Sequence, residues 1–98
     1  MSSIADVYTT QGQRGNGVVS PVTVTDLPTL LATANPSRGA ILLQNVGSVD
    51  VYLGDVNVTT GTGLQLAAGQ TYSDDRTTQA WYGVVASGTS DVRVLVVS

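Results

Sequence analysis

The sequence predicts an all-β fold: a single antiparallel β-sandwich domain of jelly-roll type, preceded by an extended N-terminal arm. β-branched residues dominate, with 16 Val and 13 Thr among 98 residues, and such side chains suit a pleated sheet. The 11 glycines and the Asx residues fall between short apolar runs, where turns belong. Helix signals are poor. The one candidate, 27–34, is short and carries Pro28 near its start, so we interpret it mainly as a strand, with one helical turn as the alternative.

The chain is long enough for one small domain, which we place at residues 18–98. Residues 1–17 form the predicted arm, because they are polar, contain glycine and show almost no periodicity. Two interpretations stay open: a disordered tail, or an arm that becomes ordered on a partner. In the second case the candidate contacts are three apolar anchors and one arginine, namely Ile4, Val7, Tyr8 and Arg14.

The first half of the domain contains three predicted strands. In 18–25 valine alternates with threonine, and Pro21 offers no N–H to a ladder, so this strand lies at an edge or is broken there. The second strand, 29–33, leads into a turn with Pro36 at its second position. The run 40–46 is apolar on both faces, which is typical of a central strand.

The second half contains shorter candidate strands between polar loops. Val49, Val51 and Leu53 share one face, and Asp50 and Tyr52 share the other, which is the period of a half-buried strand. Further candidates are 56–59, 64–66, 70–73, 79–86 and 91–97. The last strand has three apolar positions on one face and two on the other, so both faces are expected to be partly covered. Seven or eight short strands with frequent turn signals predict a sandwich or a barrel.

Charge and composition restrict the partners. Seven Asp and four Arg give a net charge of −3, with no basic patch for nucleic acid and no polybasic run for an anionic membrane. No apolar stretch is long enough to span a bilayer. The N-terminal residues lack the features of a signal peptide, so we expect synthesis in a cytoplasm. Charged residues are only 11%, which favours a domain that hides surface against a partner.

The residue types indicate binding more than catalysis. His, Lys, Cys and Glu are all absent, so no serine or threonine has a His or Lys to activate it, and no thiolate metal site or disulfide forms. The adjacent Asp74 and Asp75 are interpreted as a solvated loop, because their spacing is not that of a calcium loop. The Gly-rich 12–17 lacks the Lys and the following helix of a phosphate cradle. We predict no catalytic residue, cofactor or metal.

Aromatic residues are the remaining candidates for recognition. Trp81 and Tyr82 are neighbours in a predicted strand, so one faces the core and the other faces outward. We assign Trp81 to the core and Tyr82 to an exposed position that stacks on a sugar or anchors an interface. Tyr52 and Tyr72 offer the same choice, and Tyr52 is the second interaction candidate.

One stretch carries a resemblance. "TLLATANPSRGAILLQNVGSVDVYLG" combines a strand, an Asn-Pro turn with Arg, an apolar strand ending in Gln-Asn, a Gly-Ser turn and "VYLG". It continues with "VTTGTGLQLAAGQTYS" and then "AWYGVVASGTSDVRVLVVS". Over about residues 22–98 the chain resembles a recurring type of small tailed-bacteriophage virion protein. Residues 1–17 fall outside the resemblance, which offers no catalytic residues.

The resemblance implies a head decoration (cement) protein that binds the lattice of the major capsid protein on the outside of the assembled capsid. It implies a homotrimer at three-fold or quasi-three-fold positions, located in the virion after synthesis in the host cytoplasm. The alternative is a head-fibre or tail-appendage domain that binds a host-surface glycan, with Tyr52 or Tyr82 beside an Asp in a concave patch. A small hydrolase is a third hypothesis, disfavoured by the missing His, Cys, Lys and Glu.

Overall fold

The computed structural model describes residues 17–98, which form eight strands and, within that range, no helix. The strands are β1 (Gly17–Val24), β2 (Thr29–Ala32), β3 (Ala40–Asn45), β4 (Val51–Gly54), β5 (Leu64–Leu66), β6 (Thr71–Asp74), β7 (Trp81–Val84) and β8 (Ser90–Val97). The all-β prediction is therefore confirmed. The described residues contain no helix that could cross a membrane.

The strands form two four-stranded antiparallel sheets, with the orders β1-β8-β3-β6 and β2-β7-β4-β5. The first strand pairs with the last, the second with the seventh, the third with the sixth and the fourth with the fifth. The chain is thus a long hairpin rolled up so that its strand pairs fall alternately into two sheets. This is the jelly-roll arrangement of an eight-stranded sandwich, as predicted.

The core lies between the sheets because alternate side chains of each strand point inward. Val92 and Val94 of β8 pack with Ile41 and Leu43 of β3, and Trp81 of β7 enters the same cluster. The Trp81 ring tilts against the partly buried Tyr72 ring, with 5.6 Å between centroids and 59° between planes. Trp81 is therefore a core residue, as the sequence predicted.

The positions predicted for two strands within their sheet are confirmed. Among residues 17–98, β1 pairs only with β8, so the strand that contains Pro21 is an edge strand of the described sheet. β3 pairs with both β6 and β8, which confirms the central position predicted for the apolar run. β1 begins at Gly17, which places that residue in the sheet and not in the arm.

The strand predicted at 56–59 is wrong, because this segment is a loop between β4 and β5. The Asp55 carboxylate accepts a hydrogen bond from Asn57 N at 2.9 Å, and Val58 N donates to Asp55 O at 3.0 Å. This local turn satisfies backbone groups that a ladder would otherwise use. The segment therefore does not pair as a strand.

Two buried polar side chains join the loops to the sheets. The Arg38 guanidinium follows the Asn-Pro turn and donates to the carbonyl oxygens of Thr33 at 3.2 Å, Thr77 at 3.2 Å and Gln79 at 2.7 Å. It therefore ties the β2–β3 loop to the β6–β7 loop. Asn45, the second, has no exposed surface and stands where β3 meets the turn to β4.

Candidate functional site

The outer face of the β2-β7-β4-β5 sheet brings together the two aromatic residues predicted for recognition. Tyr52 lies between the core residues Val51 and Leu53, so its ring points away from the core. Tyr82 follows the core residue Trp81 and points the same way. We call this surface the tyrosine face, defined by Leu30, Tyr52, Gln65 and Tyr82.

Strand register sets the spacing within the tyrosine face. Tyr52 is opposite Val84 on β7, so Tyr82 is its diagonal neighbour two residues away. Diagonal pairs on adjacent strands lie roughly 7–8 Å apart, within reach of two aromatic rings. Tyr82 is opposite Leu30 on its other side, and Leu30 is exposed. The face thus combines two half-buried phenols with an exposed aliphatic side chain.

A concave patch lies beside Tyr52. A cavity of about 290 Å³ is lined by Val49, Asp50, Tyr52, Ala86 and Ser87. The Asp50 carboxylate accepts a hydrogen bond from Gln65 Nε2 at 2.6 Å, which fixes its orientation next to the ring. An aromatic ring beside an oriented carboxylate offers an apolar surface and an acceptor for hydroxyl groups. This is the pairing that the sequence analysis named for a glycan ligand.

The β4–β5 loop folds over the same outer face and lies next to both tyrosines. Gly54 is opposite Tyr82 in the register, and a Cβ at Gly63 would lie 2.8 Å from Tyr52 Cβ. Val58 is buried although it lies outside the main core cluster. A Cβ at Gly54 would lie 2.8 Å from Val58 Cγ2, and one at Gly63 would lie 2.8 Å from the same methyl carbon. Val58 therefore sits directly on the glycine backbone, and only glycine leaves room for it. A small second core forms outside the sandwich.

The covering loop creates two further clefts. One, of about 470 Å³, lies between residues 56–60 and the β1–β2 loop, with Val84 and Val85 at its floor. Val56 and Leu27 beside it are exposed, Leu27 at 70%. The other, of about 480 Å³, is lined by Leu53, Leu64, Trp81 and polar residues of the same loop. Sequence reasoning missed both clefts, because it assigned 56–59 to a strand.

Asp74 closes the loop after β6. Its carboxylate accepts hydrogen bonds from the Thr77 hydroxyl and, at 3.2 Å each, from the N–H groups of Arg76 and Thr77. The Thr77 hydroxyl is the main cause that lowers the pKa of Asp74 below its ordinary value, and the Arg38 charge adds to the effect. Within residues 17–98 no three His, Cys, Asp or Glu side chains group closely enough to hold a metal ion. The hydrogen bonds to Arg76 and Thr77 make Asp74 a cap of this loop.

The opposite sheet carries an apolar surface that sequence reasoning did not identify. Its inner positions belong to the core, so the alternate residues of β1, β8 and β3 face outward. The register places Val19, Leu95 and Leu42 in one row across the three strands, and Gly17, Val97 and Ala40 in the next. We call these residues the end patch: Val19, Ala40, Leu42, Leu95 and Val97. The alternation within 91–97 indicated that this face of the last strand is partly covered. Which residues of β1 and β3 lie beside it depends on the register between the strands.

The predicted arm contacts Ile4, Val7, Tyr8 and Arg14 lie outside the described residues. Of the six predicted interaction residues, the structure therefore places Tyr52 and Tyr82, and it places both on one face. The comparison with protein-family models gave no match, and the comparison with curated proteins gave no relative.

Proposed function

We propose that this chain is a structural virion protein of a tailed bacteriophage that binds the outside of the assembled capsid and stabilises it. The observation that carries the proposal is the amount of apolar surface on a weakly charged jelly-roll domain. Charged residues are only 11% of the chain. Seven large hydrophobic side chains in the described part are exposed: Val18, Val19, Leu27, Leu30, Val46, Val56 and Leu64. Where such side chains are contiguous on a surface, that surface is typical of a binding site.

The jelly-roll fold alone does not select this function, because the fold occurs in capsid proteins and in lectins. The resemblance over residues 22–98 favours the virion, and the residue types favour binding over catalysis. Binding to the assembled lattice, and not to free subunits, stabilises the shell by mass action. A repeated lattice then holds many copies, for which we propose trimers at three-fold positions.

The tyrosine face is the proposed contact with the major capsid protein. Tyrosine contributes a large, rigid contact area and a hydroxyl that remains satisfied at an interface. Tyr52 and Tyr82 are half-buried, so they lose little conformational freedom on binding. We propose the residues Ile4, Val7, Tyr8 and Arg14 as a second contact once the protein is on the lattice.

The test is binding of purified protein to capsids that lack it. We expect Tyr52→Ala combined with Tyr82→Ala to weaken binding by about ten-fold or more, because two central aromatic anchors are lost. Gln44→Ala is the matched control, since Gln44 is exposed on the outer face of the opposite sheet. Unfolding curves check that both variants fold. If the double variant binds as tightly as the control, the tyrosine face is not the contact.

The second candidate function is binding of a host-surface glycan by a head-fibre or tail-appendage domain. The cavity that joins Tyr52 to Asp50 favours it. A glycan array probed with the full chain should then give a specific signal, and Asp50→Asn should abolish it. A blank array, or a signal that survives both Asp50→Asn and Tyr52→Ala, would exclude this cavity as a glycan site.

A further inference from the structure

The end patch stands beside the point where the N-terminal segment joins the domain. Gly17, the first described residue, is opposite Val97 in the register, so the preceding residue connects at the border of the patch. A Cβ on Gly17 would lie 3.2 Å from Leu95 Cδ1, which shows that the Leu95 side chain reaches over this residue. The apolar surface is therefore continuous with the start of β1.

The end patch exposes more apolar surface than its neighbours on the same sheet. Val19 exposes 63% of its surface, and the outer positions further along β8 are Arg93 and Asp91. The Thr23 hydroxyl donates to the Asp91 carboxylate at 3.1 Å, so the far half of this face is polar and satisfied. Apolar side chains are thus concentrated at the end of the sheet nearest to Gly17.

The chain that precedes Gly17 is long enough and has suitable residues to cover this surface. Sixteen residues span up to roughly 50 Å when extended, whereas the patch covers three strands about 5 Å apart. Ile4, Val7 and Tyr8 supply apolar side chains. Gly15 and Asn16, next to Gly17, tolerate the left-handed backbone conformations that a chain reversal requires.

We propose that, in the free protein, residues 1–16 fold back and dock on the end patch of their own domain, with Ile4, Val7 and Tyr8 against Val19, Leu42 and Leu95. A tether that starts at the patch gives the segment an effective concentration in the millimolar range, which a second copy does not reach in dilute solution. The inference does not depend on the proposed function, because it concerns the protein in the absence of capsids.

Engineered cysteine pairs test this docking, because the natural chain contains no cysteine that would compete. Ile4→Cys, Val7→Cys or Tyr8→Cys is combined with Val19→Cys on the patch. The matched control carries Ser20→Cys in place of Val19→Cys. Ser20 is also exposed and is the next residue along β1, but it belongs to the opposite face of the strand. Both positions are almost equally distant from Gly17, so an undocked segment would reach them equally.

Disulfide formation is followed by non-reducing electrophoresis and intact mass at low micromolar protein. We expect at least one arm position to form an intramolecular disulfide with Val19→Cys about ten-fold faster than with Ser20→Cys. The preference should disappear in 6 M urea. Equal rates at the two positions would overturn the proposal, and so would a disulfide that forms mainly between two copies. Loss of capsid binding in the tyrosine variants would leave this result unchanged, so the two proposals fail separately.

Discussion

Asn45 illustrates how a single residue holds the jelly roll together. Its side-chain amide donates to Val49 O at 2.8 Å and to Leu66 O at 2.9 Å. Its side-chain oxygen accepts from Gly47 N at 3.1 Å and from the buried Ser90 Oγ at 2.7 Å. A Cβ at Gly47 would collide with Ser90 Oγ, so the turn needs glycine there. One amide thus joins β3, the turn to β4, β5 and β8.

We predict that Asn45→Asp destabilises the fold by about 3–5 kcal/mol. A carboxylate has no N–H to donate, so the two buried carbonyl oxygens would lose their hydrogen bonds and would face a negative charge. Urea unfolding at pH 7 measures the change. Gln44→Asp, on the exposed neighbour, serves as the control and should shift the free energy of unfolding by no more than about 0.5 kcal/mol. Equal effects of the two substitutions would show that the amide network adds nothing to stability.

Asp74 gives the fold a predicted dependence on pH. The pKa of its carboxyl is lower in the folded state than its ordinary value of 3.8, chiefly through the Thr77 hydroxyl. The charged form therefore stabilises the fold above the unfolded pKa, and this stabilisation is lost as the pH falls through the folded pKa. At pH 7 the midpoint of urea unfolding should be higher for the wild type than for Asp74→Asn. This difference between the two midpoints should shrink towards pH 3. A difference that stays constant over this range would contradict the assignment.

At the scale of elements, the β4–β5 loop departs furthest from what the sequence predicted. We expect Gly54→Ala to destabilise the protein by about 1–3 kcal/mol, because the new methyl group meets Val58 Cγ2. Val58→Ala, added to it, should recover part of this loss, as coupled neighbours do in a double-mutant cycle. Gly61→Ala is the control, since its nearest contact would be 3.8 Å away. Strictly additive effects of Gly54→Ala and Val58→Ala would mean that the loop does not rest on the sheet.

The strands were predictable wherever one face is buried, since alternation then appears in the letters, as in β4 and β8. The loop structure of the 56–59 segment was not predictable. Two valines separated by one residue, as at Val56 and Val58, occur both in a strand and in a loop that inserts one valine into a second core. Tyr52 and Tyr82 were identifiable one by one as outward-facing residues. Their placement on one face, and the rows of the end patch, depend on register between strands distant in sequence.

The two surfaces that we propose for binding lie on opposite sides of the sandwich. The tyrosine face lies outside the β2-β7-β4-β5 sheet, and the end patch lies outside the β1-β8-β3-β6 sheet. With the tyrosine face on the proposed lattice, the end patch would point away from that lattice. The proposed cover of the end patch by residues 1–16 would keep the second surface from associating with other copies before assembly.

The most direct test of the decoration proposal is the number of copies in purified phage particles. The protein is quantified by mass spectrometry against the major capsid protein, in particles from a lysate that contains this chain. Decoration of a repeated lattice predicts hundreds of copies per particle, and their removal should lower the temperature at which the shell opens. A few copies per particle would contradict decoration and support a fibre or tail part, and absence from particles would contradict the virion assignment itself.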